Sequence, residues 1–250
     1  MLKETFFLYK RSVKSTMRQP VWVLMNLTMP LLLLLLFAPL LKGMGAVPMT
    51  TAEVLDVFVP GILAMLALIS GMSAGWTVIM DLKDGVVERF RVTPTRRSSM
   101  LLGTASHDVT MFMAPAIVII IISSFFVFTI DLGGLAVLFI LLCLLTLIIS
   151  VFSAALALKV KEIGGLSAVL SGLQLPMLLL AGVLLPLSLG PRWLEIMGHF
   201  NPLYYAVEAS RDLAVGSIFA ESVYTAFAVL VPLAAVTLFW ASRVYKEAIK

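Results

Sequence analysis

The sequence predicts an all-α integral membrane protein: six transmembrane helices, an amphipathic N-terminal helix in the membrane interface, and an outer re-entrant helical segment before the last span. Three observations predict it. Of 250 residues, 61% are hydrophobic and only 13% charged, with a mean hydropathy of +1.07, whereas a soluble domain is about half apolar and about a quarter charged. The apolar residues gather in runs of about 20, the length a helix needs to cross hydrocarbon. Lys and Arg fall on one side of those runs, which orients them.

The runs are 21–41, 58–80, 103–130, 134–158, 164–187 and 222–242. Each is expected to be helical, because a segment in lipid must satisfy its own backbone hydrogen bonds. Together they make residues 1–250 a single transmembrane domain. The first run follows a basic segment, as a signal peptide would. Its length exceeds the roughly 7–15 apolar residues of a signal core, so it reads as a span.

Of the 18 Lys and Arg residues, fifteen share one side. They are Lys3, Lys10, Arg11, Lys14 and Arg18; Lys83, Arg89, Arg91, Arg96 and Arg97; Lys159 and Lys161; and Arg243, Lys246 and Lys250. Only Lys42, Arg192 and Arg211 lie opposite. Positive charge stays inside, so both termini and the 81–102 loop are expected in the cytoplasm and residues 188–221 outside.

Two segments are expected to be ordered without spanning. Residues 2–19 put Leu2, Phe6, Tyr9, Val13 and Met17 within about 80° of a helical wheel, as in an interfacial helix over 1–20. A basic tail that merely sets topology is the other reading. The 188–221 segment carries Trp193, Phe200, Tyr204, Tyr205 and Phe219. Aromatic residues gather at the membrane interface, so short helices dipping into the outer leaflet are expected there.

The nucleotide-binding and zinc-protease motifs are missing. There is no GxxxxGK[ST] phosphate loop, GxGxxG or HExxH, so these residues cannot hydrolyse ATP by the P-loop route unaided. Cys143 is the single cysteine, which excludes an intrachain disulfide. With only His107 and His199 beside it, a structural zinc site is not expected. His107 and Asp108 are the ionisable residues inside a span, near its cytoplasmic start. They lie either at headgroup level or within the bundle, where an ionisable side chain is functional by default. Small residues at Gly71 and Gly75, and at Gly164, Ala168 and Gly172, mark candidate helix contacts. Pro30, Pro115, Pro176 and Pro232 interrupt hydrogen-bond ladders and can kink their helices.

One charged island stands between the second and third runs: "DGVVERFRVTPTRR", residues 84–97. Gly85 can turn the chain. Val86, Phe90 and Val92 alternate with Glu88, Arg89 and Arg91, and Thr93-Pro94 stops a helix. The pattern fits an amphipathic helix that docks a cytosolic protein, or a solvated loop that supplies topology charges.

The segment "GVVERFRVTP" resembles the G-x-x-E-R-x-x-x-T-P stretch of ABC-2 type transporter permeases. "FVPGILAM" at 58–65 is similar to the start of that family's second span, and "HFNPLYYAVEASRDLAVG" at 199–216 to its N-P-x-x-Y…R segment. The three occur in the family's order and look most like drug-resistance permeases of the daunorubicin type. The resemblance implies two membrane subunits, a homodimer of this chain or a heterodimer with a similar permease. It also implies two ATPase subunits on separate chains, which bind the ATP and Mg. This chain would then hold no cofactor, be no enzyme by itself, bind no nucleic acid, and lie in the plasma membrane. The resemblance implies that Gly85, Glu88, Arg89, Arg91, Thr93 and Pro94 couple to the ATPase, with Lys159, Lys161 and Glu162 as a smaller second contact. It likewise makes Asn201, Pro202, Tyr205 and Arg211 the extracellular gate. The implied function is export of a lipophilic or amphiphilic molecule. A polysaccharide, peptide or lipid substrate stays open, as do a secondary carrier and a non-transport assembly protein.

Overall fold

The computed structural model describes residues 9, 28, 30–33, 35–36, 51–84, 97–125, 131–184 and 186–248. Among the described residues after 50 the helices are, in chain order, α1 (Thr51–Lys83), α2 (Arg97–Ser124), α3 (Leu132–Val160) and α4 (Ile163–Leu180). A 3₁₀ turn at Leu187–Leu189 leads to two short helices, α5 (Arg192–Gly198) and α6 (Pro202–Ala214), and then to α7 (Glu221–Ala248). No strand occurs among the described residues. Among the described residues five segments are long and apolar enough to cross a membrane: Leu55–Lys83, Gly103–Ser124, Leu132–Val160, Ile163–Leu180 and Glu221–Glu247. Residues 28, 30–33, 35 and 36, inside the expected 21–41 span, are helical. The rest of that span lies outside the described residues, as do the 85–96 stretch and, Tyr9 apart, the 1–20 segment.

Four helices match expected spans with shifted ends, and the fifth corrects one. The apolar run 164–187 predicted helix to its end, but α4 stops at Leu180. Gly182 takes φ +65°, the left-handed position that ends helices after their last turn. Pro186 further on has no N–H to continue the ladder. At about 1.5 Å per residue the 18 residues of α4 span roughly 27 Å, close to the hydrocarbon thickness. At its start α3 is capped by Asp131, whose carboxylate accepts from the Gly133 N–H at 3.2 Å. It ends at Lys161, which adopts φ 56° and donates its N–H to the Ala157 carbonyl at 2.9 Å. The expected prolines sit inside continuous helices, Pro115 in α2, Pro176 in α4 and Pro232 in α7.

Packing is built around α1. In its most apolar stretch 78% of residues are buried, against 11% in α4. Phe58, Ile62, Leu63 and Leu66 of α1 join Phe112 and Ile119 of α2 and Leu138, Leu141, Leu142 and Leu145 of α3 in one core. Contacts give the directions. Gly71 faces Thr146 and Ile149, and Gly75 faces Ser153, so α1 and α3 run parallel. Phe112 lies beside Phe139 and Asp108 beside Ser150, so α2 and α3 run antiparallel.

The close α1–α3 approach is what the two glycines permit. A Cβ on Gly71 would stand 2.7 Å from the Ile149 Cβ, and one on Gly75 would stand 2.5 Å from the Ser153 Oγ. The Ser153 hydroxyl uses the room, donating to the Met72 carbonyl at 2.8 Å and accepting from the Gly75 N–H at 3.1 Å. The second small-residue stripe behaves differently. Gly172 has nothing within 4 Å, and Gly164 meets only the Glu162 carboxylate at 3.6 Å. Gly71→Leu should therefore destabilise the purified chain by about 1–3 kcal/mol, as overpacking does. Gly172→Leu should stay within about 0.5 kcal/mol. Thermal unfolding in detergent checks both, and equal losses would contradict the packing described.

Candidate functional site

The segment expected to form the outer gate is a lock on the end of α4. Asn201 caps α6: its Oδ1 accepts from the Leu203 N–H at 3.1 Å, and Pro202 occupies the first turn, where a missing N–H leaves no gap. The same Asn201 side chain donates from Nδ2 to the Met177 carbonyl in the last turn of α4, at 2.7 Å. Tyr205 donates its hydroxyl to the His199 carbonyl at 3.0 Å, folding α6 back on the α5 turn. The rings of His199, Tyr204 and Tyr205 cluster around it, with centroids 5.1–6.0 Å apart.

Arg211 completes the lock. It is only 8% exposed. Its Nη2 donates to the Gly182 carbonyl at 2.5 Å and lies 3.5 Å from that of Val183. Its Nε reaches the Val57 carbonyl of α1 at 3.4 Å, and its Nη1 pairs with Glu208 at 2.9 Å. Burial pulls the guanidinium below its usual range, and the Glu208 carboxylate pulls it back up. Arginine starts so high that it keeps its proton. A fixed positive charge thus sits on carbonyls just past a helix C-terminus, where the helix dipole favours it.

The "FVPG" stretch meets the lock from the other side. Phe58 and Val59 are buried, and a Cβ on Gly61 would overlap the Val183 carbonyl oxygen. Two stretches about 140 residues apart in the chain therefore converge on the Gly182–Val183 turn. All four expected gate residues, Asn201, Pro202, Tyr205 and Arg211, belong to this assembly. Sequence reasoning did not single out Gly182 and Val183, which contribute only backbone carbonyls. Gly61 stands in the quoted stretch, but its role needs a spatial neighbour.

At the opposite end of α3, the expected second contact is a tight exposed turn. Lys161 and Glu162 are exposed, and Lys161 holds the left-handed backbone. Lys159 is also exposed, with its Nζ 5.5 Å from the centre of the Trp240 ring on α7, which stacks on Phe152. The expected primary contact, Gly85, Glu88, Arg89, Arg91, Thr93 and Pro94, lies outside the described residues. Its flanks are described: α1 ends at Lys83 and α2 begins at Arg97.

His107 and Asp108, which the sequence left either at headgroup level or in the bundle, are buried among helices at 7% and 1% exposure. The Ser150 hydroxyl of α3 donates to Oδ2 of Asp108 at 2.5 Å. The Ser73 hydroxyl of α1 lies 3.2 Å from Oδ1 and 2.7 Å from the Ser70 carbonyl. The His107 Nδ1 stands 3.1 Å from Oδ1. Sequence reasoning did not single out Ser73 and Ser150. The available signal was that a serine inside an apolar run must find a partner.

Arg211→Ala should leave the Gly182 carbonyl without its donor, at roughly 1–3 kcal/mol for an unsatisfied buried group. Asn201→Ala should lose a helix cap, about 1 kcal/mol. Denaturation of the purified variants checks the order, and a more damaging Asn201 variant would contradict it.

The sequence pattern of the ABC-2 type transporter family matches residues 3–215. The chain is 31% identical over 235 residues to the ycf38 protein of Cyanophora paradoxa, provisionally named a transport permease, covering 89% of this chain and 79% of that one. It is 26% identical over 209 residues to the daunorubicin resistance ABC transporter permease protein DrrB1 of Streptomyces coeruleorubidus, covering 83% and 73% respectively. The ycf38 protein of Pyropia yezoensis is 26% identical over 217 residues, covering 85% and 74%. With the N-P-x-x-Y…R and F-V-P-G stretches joined at one turn and the family pattern running through both, the chain belongs to the ABC-2 type transporter family.

Proposed function

We infer that the chain is the membrane-spanning permease subunit of an ATP-driven exporter that moves a lipophilic or amphiphilic molecule out of the cell. The observation that carries this is the family match over residues 3–215, a family whose membrane subunits work with ABC ATPase subunits. The absence of a phosphate loop from the sequence agrees with it. Two permease chains, identical or paired with a similar one, would stand over two ATPases. A drug-like substrate is the reading that the name of DrrB1 favours.

The end of the bundle where α1 stops, α2 starts and α3 turns into α4 carries most of the basic residues, so it is assigned to the cytoplasm. There Gly85, Glu88, Arg89, Arg91, Thr93 and Pro94 form the primary ATPase contact, and Lys159, Lys161 and Glu162 the second. The Asn201–Arg211 lock then lies at the outer end, with α5 and α6 re-entering the outer leaflet. Closure of the ATPases on ATP moves the inner contacts and biases the bundle between two packings. The outer lock, which joins α1, α4 and α6 through Arg211, is where that bias reaches the exit.

Three measurements test this. The permease is purified with its ATPase and compared with Glu88→Ala plus Arg89→Ala at equal membrane abundance. The double variant should lose the coupling of ATP turnover to transport, and undiminished coupling would remove the role given to the island. A wild-type permease that transports equally well without any ATPase would instead mark an ion-driven carrier. In a Cys143→Ala background, a cysteine at Ser98 should react with impermeant reagents only from the cytoplasm and one at Ser188 only from outside. The reverse pattern would overturn the orientation. Lys161→Gly should fold as well as the wild type, since glycine suits the left-handed backbone. Any fall in ATPase binding by that variant therefore reports the side chain; unchanged binding would remove Lys161 from the contact.

A further inference from the structure

We propose that Asp108 is a positioning residue that makes α1, α2 and α3 move as one body when the permease switches state. The proposal rests on the reading of the chain as an ATP-driven permease and adds the means by which a push at the cytoplasmic end is shared.

Asp108 is gripped at one level by three helices. Ser73 stands ten residues before the end of α1, Asp108 eleven residues after the start of α2, and Ser150 ten residues before the end of α3. At 1.5 Å per residue, each is about 15–17 Å from the same end of the bundle. The two carboxylate oxygens face different helices, Oδ1 toward Ser73 and Oδ2 toward Ser150. One turn away Ser153 fastens α3 to the backbone of α1 at Met72 and Gly75. Below these contacts lie the end of α1, the start of α2 and the exposed Lys159–Glu162 turn of α3.

Apolar packing between the three helices interdigitates and already resists sliding; the carboxylate adds a directional constraint to it. A buried carboxylate cannot leave its hydroxyl partners without passing through an arrangement in which polar groups are unpaired in an apolar interior. The cluster therefore resists shear among the three helices. The other extreme is α4, with 11% of its apolar stretch buried, held mainly through its ends. Among the first four helices, α1, α2 and α3 form an interlocked set and α4 is a loosely held neighbour. A displacement delivered to the inner end of any one of the three is passed to the whole interlocked set.

The test uses the full chain with its ATPase, reconstituted in liposomes in the Cys143→Ala background. Paired spin labels replace Lys83 and Val160, at the ends of α1 and α3, or Lys83 and the exposed Leu173 on α4. Distances are measured without nucleotide and with ATP plus vanadate. The Lys83–Leu173 distance should change between the two conditions and the Lys83–Val160 distance should not. Asp108→Leu fills the space without the carboxylate, and the Ser73 hydroxyl keeps the Ser70 carbonyl as its partner. It should lose the invariant, narrow Lys83–Val160 distance, while Asp108→Asn, which still accepts from Ser150, should keep it. Should Asp108→Leu fail to fold, Ser150→Ala removes only the contact of Asp108 with α3, leaving Ser153 in place, and should broaden the Lys83–Val160 distance in the same way.

A purely structural role for Asp108 would lower the yield of these variants without altering the distance, and that result overturns the proposal. A Lys83–Val160 distance that already changes in the wild type overturns it too, leaving the ATP-driven reading intact. A Lys83–Leu173 distance that stays fixed in the wild type overturns both together.

Discussion

A polypeptide in hydrocarbon has no water to bond, so each backbone or side-chain polar group must find its partner within the protein. The places where this demand is hardest to meet organise the bundle. The end of α4 is one. The Gly182 carbonyl beyond its last turn takes Arg211 of α6 as donor, and Asn201, the cap of α6, adds a second donor to the Met177 carbonyl that the Ala181 N–H already reaches. The interior of α2 is another, where Asp108 is held by hydroxyls from two neighbouring helices. Apolar side chains make the core, but these polar contacts determine which helix ends and levels meet.

Steric allowance is the second half of the arrangement. Three glycines of α1 let other backbone or side-chain atoms come where a methyl group could not stand. Gly71 and Gly75 admit α3, and Gly61 admits the Val183 carbonyl. Such packing replaces the hydrophobic drive that helices lack within lipid. It makes α1 the axis of the bundle and leaves α4 on its edge. The proposed function would require switching between two packings, and this contrast suits it: some contacts are interlocked, others few enough to change.

The lock around Arg211 gives the family's N-P-x-x-Y…R stretch a physical content. Asparagine both starts α6 and holds α4, proline fits the first turn, tyrosine closes the preceding bend, and arginine bridges three segments. A guanidinium has donors enough to reach Val57, Gly182 and Glu208 at once, which lysine's single ammonium could not do with the same geometry. The stretch is a joint between elements distant in sequence. The proposed exit region suits such a joint, since a joint touching α1, α4 and α6 feels a shift in any of them.

Much of the fold is legible in the amino-acid sequence, because lipid imposes local rules. Run length and hydropathy locate α1, α2, α3, α4 and α7, and composition marks 188–221 as ordered although polar loops are the usual connection. Asp131 and the apolar residues beside it could have moved the start of α3 two residues earlier. The error at 164–187 arises because hydropathy does not register a backbone turn: Leu184, Leu185 and Leu187 are as apolar after Gly182 as before it. Asn201, Pro202, Tyr205 and Arg211 stand out as a group through resemblance, since nothing local shows what they hold. By itself, then, the sequence determined the solvent of this chain, the helical character of its long apolar runs, the absence of a phosphate loop and the family it belongs to. Each of these follows from composition or from residues near one another. Tertiary structure alone decided that Gly71 and Gly75 are contacts while Gly172 is open, that Arg211 reaches Gly182 and Val57, and that Asp108 is buried between Ser73 and Ser150. These depend on which faces of which helices meet, and a side chain's chemistry names the partner it needs without saying which distant residue will provide it.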